Sequence, residues 1–197
     1  MKRFIIAFIT LMMITMVSCG QKKTVDSSGS GLGSTFTCDM VLLYEDSEYC
    51  GKINRTDTRS WEIEFSSPET LAGVKLSFVN DDVTASYKGL DFTVPKKALP
   101  VKSVLSNFIT VVDEISSQEK MQCVEKDGEL VVEGQIDQGE YELVINEKNG
   151  TISSFEMKNT NVVIEFENVI TGSSNVSVSQ TSQTTVAEST VIETTVQ

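Results

Sequence analysis

Ser117 stands three residues before Lys120, a spacing at which a lysine amine can take the proton of a serine hydroxyl. The S-D-N and K-T-G stretches that accompany such a pair in enzymes are absent, so it reads as coincidence. The chain has no histidine, which removes Ser-His-Asp and Cys-His catalysis and histidine ligation of metals. Its acidic residues mostly alternate with apolar ones, as the solvated faces of strands do. Cys38, Cys50 and Cys123 lack the spacing of a zinc site; outside a cell they could form one disulfide and leave one thiol. These residues predict a protein that is not an enzyme and has no metal or cofactor. One cysteine, Cys19, still asks for a chemical role.

The residues before it supply the role. Lys2 and Arg3 open the chain, and Phe4 to Val17 form an apolar run interrupted only by threonines. That run is shorter than the roughly 20 residues a membrane-spanning helix needs. It has the size of a secretory signal core, closed by Met16-Val17-Ser18-Cys19. A small residue before a cysteine resembles the lipobox of bacterial lipoproteins, with Met16 where leucine is commonest. The resemblance implies removal of residues 1–18 and a diacylglyceryl group on the Cys19 thiol. The protein would then sit at the extracytoplasmic face of a bacterial membrane, its partner being the membrane itself.

Residues 19–35 are rich in Gly, Ser and Lys and show no apolar periodicity, so a flexible tether is expected. Gly29-Ser30-Gly31-Leu32-Gly33 has neither a strand before it nor a helix after it, which argues against a dinucleotide loop. Such a tether could reach about 50 Å fully extended. Loss of Lys2 and Arg3 takes the net charge from −12 to −14. A body so acidic is not expected to bind nucleic acid or to lie flat on anionic lipid. The anchor, not charge, has to hold it.

From Phe36 to Val169 apolar residues recur with period two. Trp61-Glu62-Ile63-Glu64-Phe65 alternates without a slip. Asp127-Gly128 and Asn149-Gly150 are dipeptides that tolerate the positive φ of tight hairpins. Pro100 to Ser116 breaks the pattern: Val101, Val104, Leu105, Phe108, Val112 and Ile115 fall three or four apart, which predicts one amphipathic helix. About ten strands at roughly 4.8 Å would make a sheet near 48 Å wide. A helix about 10 Å across cannot cover it alone. The expected fold is therefore mainly β (α+β), a strongly curved antiparallel sheet or unclosed half-barrel with the helix as plug or lid. The β domain is expected over 36–169, and a disordered Ser/Thr-rich tail over 170–197.

The order of elements, and locally YCGKI (49–53), WEIEFSSPETLAGVKLSFVNDD (61–82) and ASYKGL (85–90), resembles the periplasmic lipoprotein-carrier superfamily, that is LolA, LolB and the N-terminal domain of RseB. The resemblance implies an unclosed half-barrel that shelters an acyl chain or another apolar ligand. It departs from the family in having a Gly/Ser stretch where the family carries a longer N-terminal helix. On that reading Phe36, Met40, Leu42, Trp61, Ile63, Phe65, Leu76 and Phe78 line the concave face, and Phe108 and Val112 close its mouth. The same residues at the same period also describe a plain core. In that case the domain would be a non-catalytic surface adaptor for a protein partner that the residues do not identify.

Overall fold

The computed structural model describes residues 21–27, 31–80, 82–93 and 100–172. Cys19, the segment expected as a signal peptide and residues 173–197 of the expected tail lie outside them. The alternation read from the sequence becomes strand after strand: β1 (Gln21–Asp26), β2 (Phe36–Tyr44), β3 (Ser47–Asp57), β4 (Ser60–Ser67), β5 (Val74–Val79), β6 (Asp82–Tyr87) and β7 (Leu90–Thr93). One helix, α1 (Pro100–Ser117), follows. The chain then adds β8 (Lys120–Lys126), β9 (Glu129–Ile136), β10 (Gly139–Asn146), β11 (Ile152–Met157) and β12 (Val162–Thr171).

All twelve strands join one antiparallel sheet in the order β1-β8-β9-β10-β11-β12-β2-β3-β4-β5-β6-β7. Among the described residues the sheet is not closed, and β1 and β7 are its edges. The central pairing is β12 with β2, which joins the last strand to the first long one. Local turns do the rest. Asp127 and Gly128 take φ of 54° and 85°, and the Lys88-Gly89 turn takes 51° and 80°, the signature of two-residue hairpins. Pro68 turns the chain between β4 and β5, where its carbonyl accepts from the Leu71 and Ala72 amides. Gly51 sits where β3 and β4 shift register; a Cβ there would lie 2.5 Å from the Glu64 carbonyl, so the close approach requires glycine.

The architecture expected from the sequence, an open curved antiparallel sheet with a single helix, is the one observed among the described residues. Two details differ. The sheet has twelve strands where about ten were expected, and part of the expected tether is one of them. Gln21 to Asp26 pair residue by residue with Glu125 to Lys120, and the Gly31 amide donates to the Gly150 carbonyl. Leu32, in a short 3-10 turn (Gly31–Gly33), is buried in the core. Local periodicity could not reveal β1, because its only apolar residue is Val25. What holds it is the free edge of β8, a hundred residues away in sequence, with Lys23 bridging Glu125 and Glu147 at 2.8 Å each. At the other end β12 runs to Thr171, and the Gly172 amide donates to the Thr35 carbonyl. Residues 170–172 therefore belong to the body, not to the expected tail.

Candidate functional site

Because side chains alternate across a strand, one face of the sheet collects Phe36, Met40 and Leu42 from β2 and Trp61, Ile63 and Phe65 from β4. The register sets Leu76 opposite Ile63 and Phe78 opposite Trp61. Helix α1 lies on this face. Phe108 meets Trp61, Phe155 and Phe166 at ring-centroid distances of 5.7, 5.5 and 4.9 Å, and Phe36 meets Trp61 edge-on at 5.5 Å. All ten residues expected to line a ligand site are thus brought together, in one buried cluster with α1. Their exposure runs from 0 to 4 %. Phe108 and Val112 sit in the middle of that cluster, rather than at an open mouth. A ligand would reach the ten residues only by displacing α1.

A polar cluster fastens the helix. Arg55 occupies the inward position two residues after Ile53 on β3 and is 1 % exposed. Its Nη2 donates to Asp113 Oδ1 at 2.8 Å and to Ser116 Oγ at 3.1 Å, both on α1, and its Nη1 donates to the Ser34 carbonyl at 3.4 Å. Trp61 Nε1 donates to the other Asp113 oxygen at 3.1 Å, and the guanidinium lies 5.1 Å from the indole centroid. The Arg55 Nε finds no acceptor among the described residues. Sequence reasoning missed this cluster. Its one local signal was a charge at the apolar position that follows Ile53.

Beyond β5 the apolar face continues uncovered. Ala85 pairs with both Leu76 and Phe92, and Tyr87 with both Val74 and Leu90, so these side chains share the face on which α1 lies. Ala85 is buried, but Tyr87, Phe92 and Leu90 are 36, 44 and 67 % exposed. Single exposed apolar residues need no explanation; a contiguous strip that runs out of the core to a free edge does. Width accounts for it: one helix about 10 Å across shields only a few strands spaced roughly 4.8 Å apart.

No hydrogen bond joins Ser117 to Lys120 among the described residues. The Ser117 hydroxyl donates to the Glu114 carbonyl at 2.7 Å. The cysteines at 38, 50 and 123 are all free. Cys38 is inward beside Ile53, whereas Cys50 pairs with Val41 on the opposite face, so the sheet separates them. Burial, helped by the charge of Asp39, pushes the Cys38 thiol from 9.0 up to about 12. Burial also raises Cys123. The folded Cys38 thiol keeps its proton where the unfolded one ionises. Its contribution to stability is therefore intact below pH 9.0 and is lost as pH rises from there toward about 12. With Cys19→Ala protein at pH 8, iodoacetamide should modify one thiol quickly, at the half-exposed Cys50. Cys38 and Cys123 should react only on unfolding. Three thiols reacting together in native buffer would contradict this packing.

No protein-family model matches the chain, and a comparison with curated proteins returns no match. Solved structures similar to it include an uncharacterized conserved protein from Thermus thermophilus, at 12 % identity and a TM-score of 0.43, covering 72 % of this chain and 80 % of that one. A LolA superfamily protein from Nitrosomonas europaea is similar at 8 % identity and a TM-score of 0.36, covering 73 % and 89 %.

Proposed function

We propose that the protein is a lipid-anchored, extracytoplasmic lipoprotein, not an enzyme, whose β domain holds an acyl chain or a similar apolar ligand. The ligand lies along Tyr87, Leu90 and Phe92, against the flank of α1, and the ten buried residues behind it form the wall that continues this face. The observation that carries the reading is the apolar strip itself, which is continuous with the core and open at the β7 edge. Aromatic and aliphatic side chains suit a chain ligand because they offer large apolar contact without fixed geometry.

Native mass spectrometry of Cys19→Ala protein titrated with palmitate or lysophospholipid tests it. A saturable one-to-one adduct is expected, weakened at least about tenfold, or roughly 1.4 kcal/mol, by Leu90→Asp with Phe92→Asp. Both side chains are exposed, so these substitutions leave the fold intact. Trp61 is fully buried beneath α1. Its emission should stay constant if the chain lies on the strip, and should change if the chain enters beneath the helix. Absence of any adduct, or equal binding by the double variant, would rule out the strip as the site.

A second reading keeps the strip and changes the guest. The outer edge of β7 has no strand partner among the described residues, and an extended segment of a protein partner could add to it as a further strand. Capture of a peptide instead of a lipid, abolished by the same two substitutions, would favour that adaptor role.

A further inference from the structure

β1 begins at Gln21, two residues after the cysteine expected to carry the lipid. Two residues reach at most about 7 Å. The slack of about 50 Å that a free tether would supply is therefore taken up by pairing with β8, six residues in register from Gln21↔Glu125 to Asp26↔Lys120. A domain joined through so short a connection cannot stand clear of the headgroups. The strand it is joined by has to lie against them.

The charge of this ribbon agrees. β1 and β8 together carry Lys22, Lys23, Lys120 and Lys126 against Asp26 and Glu125, a basic stretch in a chain whose net charge is −12. The register divides them between two faces. Lys23 lies opposite Cys123 on the inner side, with Val25 and the buried Met121, and is spent on Glu125 and Glu147. Lys22, Lys120 and Lys126 fall on the other side, with Gln122 and Asp26, and all three lysines are exposed. An edge strand presenting lysines is also protected from pairing with another chain.

We infer that the outward side of the β1–β8 ribbon is the membrane-facing surface of the protein, resting on anionic lipid headgroups. The inference rests on lipidation at Cys19. It reverses one expectation from composition: the acidic body as a whole avoids anionic lipid, while this one edge is suited to it. Nine strands separate the ribbon from β7 in the sheet order, so the apolar strip lies at the opposite edge.

The test uses lipidated, full-length protein in vesicles of phosphatidylcholine and phosphatidylglycerol, with a headgroup spin-labelled lipid as quencher. A fluorophore is placed through Gln122→Cys or Asp91→Cys, each in a Cys50→Ser background. Quenching is expected to be severalfold stronger at position 122 than at 91. A long Gly/Ser insertion between Gly20 and Gln21 should lower the signal at 122 when the vesicles are held near 1 M salt, where the screening length is about 3 Å. Equal quenching at the two positions, or an insertion without effect at that salt, would overturn this inference alone, with the protein still floating with the vesicles. Failure to float would overturn the lipid anchor and this surface with it.

Discussion

Asp113→Ala should destabilise the domain by about 3–5 kcal/mol, because it leaves a buried guanidinium without its counter-charge. Arg55 is 1 % exposed and its Nε already lacks an acceptor among the described residues. With Asp113 gone, Nη2 keeps only Ser116, and the Trp61 indole N–H loses its acceptor. Urea unfolding followed by Trp61 emission measures the effect directly, since the reporter touches the removed carboxylate. The second arm separates charge from packing. Arg55→Met with Asp113→Leu removes both charges and keeps apolar volume, and should recover most of the lost stability. A double variant no better than Asp113→Ala would mean that the helix is held by hydrogen-bond geometry rather than by the pairing of buried charge.

Cys19→Ala should be close to all-or-none. The described residues include no helix long and apolar enough to cross a membrane, and the net charge of −12 gives no general attraction to anionic lipid. On the proposed reading, attachment depends on the lipid on that one thiol, supported by the basic β1–β8 ribbon. Fractionation of cells carrying the variant should show the protein in the soluble exported fraction after an alkaline wash, with the parent protein still in the membrane pellet. Wild type and variant remaining together in the pellet would remove the anchor assignment.

Much of this fold was legible in the sequence because its strands are half-buried, and half-burial writes itself as alternation. Trp61-Glu62-Ile63-Glu64-Phe65 and the helical spacing of Val101 to Ile115 each name an element and its inward face. The ten candidate residues share a face for that reason. Three features were hidden, each for a physical cause. β1 is polar along most of its length, and the strand it pairs with lies a hundred residues away. Arg55 places a charge at a position that alternation assigns to an apolar residue, and only the docked helix brings it its partner, Asp113. The covered and uncovered parts of the concave face carry the same pattern. Leu76-Ser77-Phe78 and Leu90-Asp91-Phe92 look alike in sequence, yet the first is sealed under α1 and the second is open. Where a helix lands is set by the whole sheet and not by any one strand.

The apolar-ligand reading is tested most directly by photo-crosslinking a diazirine-bearing fatty acid to the full, membrane-anchored protein and mapping the modified peptides. Adducts should concentrate on Asp82–Tyr87 and Leu90–Thr93, saturate with probe, and fall when unlabelled fatty acid competes. Labelling spread evenly over the surface, or insensitive to competition, would contradict a ligand site on the strip and leave the concave face as core alone.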